Sequence, residues 1–236
     1  MNEIELRMMQ GMLSILNHKD SLTNEQYESR LEDLRQFEQE TNFVLLNSPT
    51  QNVELESIVK KNGKINDSEF SQLNSVEDIV KNFDQKEMIA YANLNGTNVY
   101  IKYTDGVIKK IITENIDGLK QCTNIPYKIN KTGHYGIYGK LTLVDDNLKF
   151  FVDETIDDMD SSVKNGFERA KELGFDIAPN WYASSLNPKK IQNIVDYIFD
   201  YVVEEGLSCD GIMFRIDDVK NQEIFKLKKE GDNNHG

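Results

Sequence analysis

The sequence predicts an α+β fold in which an N-terminal helical hairpin precedes a domain of antiparallel sheets and helices. Apolar residues recur at helical spacing from Glu3 to Leu16 and again from Thr23 to Glu40. From Asn98 to Val152 the pattern changes to strand-like runs separated by turns rich in Asp, Asn and Gly. Beyond Ser162, two helical patterns precede two further strands. This order of helices and strand pairs is typical of the α+β class.

The composition is that of a soluble globular protein. The 236 residues suit one large domain with a small appendage, and 39% hydrophobic and 28% charged residues supply a core and a surface. No apolar run approaches the roughly 18 to 20 residues of a membrane span, and no basic-then-apolar leader opens the chain. Cys122 and Cys209 form no Cys-x-x-Cys pair, so no disulfide scaffold is expected. We therefore expect a cytoplasmic protein with no membrane partner.

The charge and the histidines argue against two function classes. Basic residues number 27 and acidic residues 40, which gives a net charge of −13. Broad unaided binding to nucleic acid is not expected, because phosphate contacts need a positive face. The three histidines, His18, His134 and His235, are widely separated, so no metal site is expected.

Two local signals define the N-terminal hairpin. Thr23 and Gln26 have the spacing of a capping box at the start of the second helix. Ser48-Pro49-Thr50-Gln51 predicts the turn that ends the hairpin. The polar stretch that follows has no periodicity, which predicts a linker. The predicted boundaries are 1–51 for the helical module, 52–67 for the linker, 68–229 for the second domain and 230–236 for a disordered tail.

The second domain is predicted to contain two hairpins, two helices and two last strands. Ser162–Leu173 is helical and stops at Gly174, whose freedom at positive φ suits a helix end. Asn187-Pro188 opens a long helix that runs to Glu205. The predicted strands are Asn98–Tyr103, Val107–Thr113, His134–Val144, Leu148–Val152, Gly211–Ile216 and Ile224–Lys228.

Four strings occur in a characteristic order along the chain. They are Tyr27 with Ser48-Pro49-Thr50-Gln51, Asn93-Leu94-Asn95-Gly96 with Tyr103-x-Asp105-Gly106, Leu173-Gly174-Phe175, and Asp210-Gly211-Ile212-Met213-Phe214-Arg215. Taken in order, these strings resemble the N-terminal part of bacterial NAD-dependent DNA ligases. The resemblance covers roughly residues 10 to 228, and it implies a helical module joined to a nucleotidyltransferase-like adenylation domain.

The resemblance also shows which chemical groups have been replaced. In that family a lysine attacks the α-phosphate of NAD, and AMP is held as a phosphoramidate. Asn93 stands at the lysine position, and an amide nitrogen is not nucleophilic because its lone pair is delocalised. Asn95 replaces the aspartate of the same motif, and Tyr91 replaces the glutamate two residues before it. Lys140 replaces the carboxylate that grips the ribose. No catalytic residue is therefore expected to be intact, and the form is degenerate.

The remaining site residues are implied by the same resemblance. Tyr27 is retained on the nicotinamide side, where Asn24 and Glu28 stand at the positions of two aspartates. NAD is the implied cofactor, with Mg²⁺ required only if the protein is active. The implied nucleotide-binding positions are Tyr91, Asn93, Gly96, Lys140, Arg215, Lys226 and Lys228.

Three functions stay open on the sequence. The favoured one is a catalytically inactive ligase-like module that binds a nucleotide or a protein partner. The expected partner is a ligase or a replication factor, from the host or encoded beside this protein. The compact form of the protein suggests a bacteriophage origin. The second is an active adenylyltransferase or ligase subunit whose nucleophile is a displaced lysine: Lys102, Lys226 or Lys228. The third is a regulator that binds nucleic acid through a patch around Lys109, Lys110 and Lys120.

Overall fold

The computed structural model of the protein describes residues 3–41, 43–46, 48–51, 54–57, 70–83, 86–157, 162–184, 187–220 and 223–228. The helices within these ranges are α1 (Glu3–Asn17), α2 (Asn24–Thr41), α3 (Val76–Phe83), α4 (Ile116–Gln121), α5 (Val163–Glu172) and α6 (Pro188–Glu204). The strands are β1 (Glu54–Ser57), β2 (Phe70–Leu73), β3 (Met88–Leu94), β4 (Thr97–Thr104), β5 (Val107–Thr113), β6 (His134–Val144), β7 (Asn147–Ile156), β8 (Asn180–Ala183), β9 (Cys209–Ile216) and β10 (Ile224–Lys228). None of these helices combines the length and the apolar character that crossing a bilayer requires.

The strands form two five-stranded sheets. Sheet A has the order β1-β5-β4-β6-β7, and sheet B has the order β2-β10-β9-β3-β8. Neighbouring strands are antiparallel except in the pairs β1–β5 and β2–β10, which are parallel and lie at sheet edges. The predicted α+β class with antiparallel sheets is therefore confirmed, with one parallel edge strand added to each sheet.

The N-terminal helical hairpin is present as predicted. The backbone amide of Thr23 donates to Gln26 Oε1 at 2.9 Å, and the amide of Gln26 donates to Thr23 Oγ1 at 3.2 Å, which is the reciprocal pairing of a capping box. Apolar side chains of α1 and α2 share a small core that contains Met9, Leu13 and Leu34. Burial of this stripe holds two helices together that would be marginal alone.

The Ser48-Pro49-Thr50-Gln51 turn is anchored to the second helix. Thr50 Oγ1 donates to Glu38 Oε2 at 2.5 Å, and Gln51 Nε2 lies 3.4 Å from the same oxygen. Glu38 is buried on α2, and the turn supplies hydrogen bonds to its Oε2, whereas its Oε1 has no partner among the described residues. Beside it lies a pocket of about 600 Å³ between α2, the turn and residues 123–128. The string that resembles the ligase family thus has a structural role here.

The predicted linker over residues 52–67 is wrong in part. Glu54–Ser57 forms strand β1, which pairs in parallel with Lys110–Thr113 of β5. Its sequence, Glu-Leu-Glu-Ser, has no apolar alternation, and an edge strand is held by backbone hydrogen bonds that such a pattern does not report. Residues 58–67 of the linker and the whole predicted tail, 230–236, lie outside the described residues.

The helices of the second domain follow the sequence closely. Ser162 caps α5 by accepting from the amide of Asn165, and Asn187 caps α6 by accepting from the amide of Lys190. One apolar stripe of α6 is buried against sheet B beside α3. The stripe consists of Ile191, Ile194, Val195, Ile198 and Val202. Sheet A has its own core, to which α4 and α5 contribute.

Candidate functional site

The site lies on the face of sheet B that is turned away from α6. Successive side chains of a strand point to opposite faces. Ala90 and Ala92 of β3 belong to the core beneath α6, whereas Ile89 and Tyr91 belong to a separate cluster on the other face. We call this other face the cleft face. It carries Tyr91 and Asn93 of β3, Met213 and Arg215 of β9, and Ile224 and Lys226 of β10.

Strand register brings the degenerate motif next to the last strand. Tyr91 and Lys226 are both paired with Met213, so the three residues form one row across three strands. Asn93 lies two residues further along β3, on the same face as Tyr91. Asn93, the predicted nucleophile position, is therefore within reach of the Lys226 side chain from β10.

The Asp210 carboxylate connects Asn93 of β3 with Lys226 of the last strand, β10. Asn93 Nδ2 donates to Asp210 Oδ1 at 2.6 Å, and Lys226 Nζ donates to Asp210 Oδ2 at 2.5 Å. Lys226 is only 5% exposed, so its ammonium is paired where water has little access. The neighbouring Gly211 leaves room for this contact, because a Cβ there would lie 3.1 Å from Lys226 Cε.

The facing side of the site comes from sheet A. Arg215 is 4% exposed, and its Nη1 lies 3.3 Å from Glu154 Oε1 of β7. Among the described residues, Arg215 Nε has no acceptor. Burial raises the pKa of Asp153 to about 6, and the positive charges of Lys140 and Arg215 oppose that shift only in part. The two sheets thus meet across alternating cations and carboxylates.

Tyr91 closes the inner end of the cleft face. Its ring centroid lies 5.7 Å from that of Phe167 on α5. Burial raises the pKa of the Tyr91 phenol well above its usual range, even though Arg215 favours the phenolate. Tyr91 therefore stays neutral and fills space with its ring where the ligase-like motif has a carboxylate.

The structure brings together some of the predicted site residues and separates others. Tyr91, Asn93, Arg215 and Lys226 share the cleft face, and Lys140 faces them from sheet A through Asp153. Lys228 is on the same strand face but is exposed.

Two further motif positions serve the turn between β3 and β4. Asn95 is exposed, and its backbone N–H donates to the backbone carbonyl of Ser208 at 2.9 Å. A Cβ on Gly96 would lie 2.4 Å from Leu141 O. These residues position β3 against its neighbours rather than line the cleft.

The nicotinamide-side residues lie on α2. Tyr27 packs into the core of the helical hairpin, and the Lys19 ammonium lies 4.8 Å from its ring centroid. Asn24 and Glu28 are exposed on the first turns of the same helix. Their predicted contact with a dinucleotide stays a prediction.

The other lysines proposed from sequence differ in their surroundings. Lys102 is exposed on β4, and Lys109 is exposed on β5. Lys120 of α4 pairs with Asp117 at 3.1 Å. Of the displaced-lysine candidates, Lys226 is the one hydrogen-bonded to the carboxylate that Asn93 contacts.

Sequence reasoning missed three carboxylates of the site. Asp210 was visible as the first residue of the Asp-Gly string, and its fixed place beside the glycine was a usable signal. Asp153 and Glu154 gave no such signal, because Glu154 is 61 residues from its partner Arg215. Their roles follow from the packing of one sheet on the other.

The charges of the site are balanced. Among the residues that the structure describes, no three His, Cys, Asp or Glu side chains group as ligands for a metal ion. Two of the described carboxylates of the cleft, Glu154 and Asp210, are paired with cations instead. The three cations are Lys140, Arg215 and Lys226, and the three carboxylates are Asp153, Glu154 and Asp210.

Comparison with known proteins returns similarity in structure and none in sequence. No protein-family model and no curated protein matches the chain. A protein from Aquifex aeolicus assigned as an ATP-dependent DNA ligase is similar at a TM-score of 0.47 and 11% identity, over 68% of this chain and 49% of that chain. An archaeal ATP-dependent RNA ligase gives a TM-score of 0.47 and 11% identity, over 68% and 47%. An RNA ligase mutant from Naegleria gruberi, with ATP and Mn, gives a TM-score of 0.42 and 10% identity, over 76% and 60%.

The chain spans about half the length of the first two ligases. All three similar proteins are ligases, and two of them are named as dependent on ATP. The NAD-dependent bacterial ligases of the sequence resemblance are not among these three. Similarity at this level says nothing about substrate, which depends on the side chains of the cleft.

Proposed function

We propose that this protein is a ligase-like module that does not form a lysyl-adenylate and that acts by binding a protein partner. The observation that carries the proposal is the chain of contacts from Asn93 through Asp210 to Lys226, at 2.6 and 2.5 Å. An amide occupies the nucleophile position, and a carboxylate holds the adjacent ammonium.

Both groups are poor nucleophiles for a physical reason. The lone pair of Asn93 Nδ2 is delocalised into the amide carbonyl. The Asn93 amide and the Lys226 ammonium each donate a hydrogen bond to the Asp210 carboxylate. An amine must lose a proton before it attacks phosphorus. The Lys226 ammonium is instead held in an ion pair with Asp210, which directs its nitrogen at a carboxylate.

The balance of charge supports a weak hold on nucleotides. A di- or triphosphate carries several negative charges and is bound by an excess of cations or by backbone amides. In the described cleft each of three cations lies beside a carboxylate. We therefore expect NAD and ATP to bind weakly, and a protein surface to be the principal ligand.

A second candidate function is favoured by the position of Lys226. If Lys226 released its proton, its amine would attack the α-phosphorus of NAD or ATP. A P–N bond would form, and the P–O bond to nicotinamide mononucleotide or to pyrophosphate would break. The proximity of Lys226 to Asn93 supports this alternative. In it, the protein is an adenylyltransferase whose nucleophile is displaced to Lys226.

The first test is intact-mass measurement after incubation with NAD or with ATP in the presence of Mg²⁺. We expect no adduct, while an NAD-dependent DNA ligase treated in parallel gains one adenylyl group. A gain of one adenylyl group that is absent in Lys226→Met, and retained in the control Lys228→Met on the same strand, would establish the second candidate. A rise in the melting temperature with NAD or ATP, without an adduct, would indicate that the protein binds that nucleotide without reacting with it.

A further inference from the structure

An exposed aromatic surface lies on the side of sheet B opposite to the cleft face. It consists of Trp181 on β8 with Tyr197 and Tyr201 on α6, which are 41%, 49% and 40% exposed. The Trp181 and Tyr197 rings meet edge to face with centroids 4.8 Å apart, and the Tyr197 and Tyr201 centroids are 6.4 Å apart. Large aromatic side chains that stack on one another and remain open to solvent are typical of an interaction surface.

Beyond Lys190, the charged residues of α6 are all acidic. No Lys or Arg lies between Lys190 and Arg215 in the sequence. Asp196, Asp200, Glu204 and Glu205 are exposed on α6 and its end. Asp200 and Glu204 are three residues from Tyr197 and Tyr201 respectively, so these carboxylates and rings share one side of the helix.

The end of α6 strengthens this negative field. Its last turn contains no basic residue, although a helix C-terminus carries a partial negative charge that cations normally complement. Glu204 and Glu205 add two further negative charges at that end. Such an arrangement destabilises the isolated helix slightly, and a cation from outside would remove the repulsion.

We propose that this aromatic surface docks a basic, arginine- or lysine-rich segment of a partner protein. The inference deepens the proposed function, because it rests on the protein acting through a protein partner. A guanidinium over the electron-rich face of Trp181, Tyr197 or Tyr201 gains a cation–π attraction, and the flanking carboxylates complete its hydrogen bonds. The phosphates of a nucleic acid would meet the same carboxylates with repulsion.

Trp181 makes the test direct, because it is the single tryptophan of the chain. The full-length protein is titrated with a synthetic octapeptide of alternating Arg and Ser, and the emission of Trp181 is recorded. We expect a saturable change in emission with this peptide. We expect none with a Glu-Ser octapeptide or with an oligothymidylate of similar length. The affinity is expected to fall about tenfold when salt is raised from low to high concentration.

Two variants with the same change of charge test the location. Asp200→Asn with Glu204→Gln removes two carboxylates four residues apart on α6, and Glu168→Gln with Glu172→Gln removes two at the same spacing on α5. We expect the α6 variant to bind the Arg-Ser peptide about five- to tenfold more weakly and the α5 variant to bind it almost as the parent does. Circular dichroism checks that both variants are folded.

Three outcomes would overturn the proposal. They are no change of Trp181 emission with the Arg-Ser peptide, an equal loss of affinity in both variants, and binding of oligothymidylate at least as tight as that of the peptide. The last outcome would assign the aromatic rings to base stacking. None of these measurements depends on adenylation, so an adduct on Lys226 would contradict the proposed function without touching this surface.

Discussion

Gly96 lies where the turn after β3 passes close to the backbone of β6. An added Cβ would lie 2.4 Å from Leu141 O and 3.0 Å from Thr142 Oγ1, and neither the carbonyl nor the strand that holds it can move away cheaply. At this position the absence of a methyl group allows the turn to lie against β6, next to the pairing of Thr97 with Leu141.

At the residue scale, we expect Gly96→Ala to destabilise the fold by about 2 kcal/mol or more, because a backbone carbonyl must shift. Gly11→Ala is the matched control. Gly11 lies in α1 with no other atom within 4 Å of an added Cβ, so the same exchange should stabilise that helix by up to about 1 kcal/mol. Urea denaturation followed by circular dichroism measures both. Equal effects of the two exchanges would contradict the close approach at Gly96.

At the element scale, α6 supports two surfaces at once. Its buried stripe of Ile191, Ile194, Val195, Ile198 and Val202 packs on sheet B, while Tyr197 and Tyr201 stay exposed on the other side. The helix begins at Pro188 because Asn187 accepts a hydrogen bond from the amide of Lys190 at 2.9 Å. The start of the helix fixes the register of every later position, including that of the aromatic surface.

We expect Asn187→Ala to lower the free energy of unfolding by about 1 kcal/mol, since the cap satisfies an amide that has no partner within the helix. Asn193→Ala is the control from the same helix. Asn193 is exposed in the middle of α6, where alanine is the better helix former. The free energy of unfolding should therefore rise by about 0.5 kcal/mol. Thermal and urea unfolding distinguish the two, and equal losses would show that the cap makes no special contribution.

At the scale of the whole molecule, the two sheets meet across charged side chains as well as across apolar contacts, since Val144 and Phe151 of sheet A pack in the core of sheet B. Arg215 of sheet B pairs with Glu154 of sheet A at 3.3 Å, and the positive charges of Lys140 and Arg215 act on Asp153, the neighbour of Glu154 in β7. Buried ion pairs contribute little net stability, and for Asp153 the cost of burial exceeds the attraction of the nearby cations, as its raised pKa shows. The contact between the sheets is therefore sensitive to pH.

Asp153 gives this sensitivity a direction. Its pKa is about 6 in the folded protein and about 4 in an unfolded chain, so the folded state binds the proton more tightly. This carboxyl therefore opposes folding increasingly as pH rises from about 4 to 6, and its full penalty is present above pH 6. We expect Asp153→Asn to be more stable than the parent at pH 7.5 by about 1 to 3 kcal/mol.

The measurement is urea denaturation of the parent and of Asp153→Asn at pH 4.5 and pH 7.5. The gain in stability should be small at the lower pH and larger at the higher one. Asp117→Asn, which removes an exposed carboxylate of α4, controls for the change in net charge. A gain that stays constant between the two pH values would contradict the burial of Asp153 as its cause.

Much of the fold could be predicted because local chemistry determines it. The capping box at Thr23, the cap at Asn187 and the turn at Gly174 are set by residues three or four positions apart, and the structure confirms the helices that they bound. Strand β1 could not be predicted, because its pairing with β5 depends on backbone contacts more than 50 residues away.

The sequence by itself determined which chemical groups stand at the motif positions. The resemblance predicts that Asn93, Asn95 and Lys140 stand where the ligase family has a nucleophile and two carboxylates, and the identity of a side chain needs no structure to be known. Only the tertiary structure decided which of the remaining lysines and carboxylates meet. Lys226, Asp210 and Glu154 come to the site from separate strands, because strand register and the packing of one sheet on the other set distances that sequence spacing does not contain.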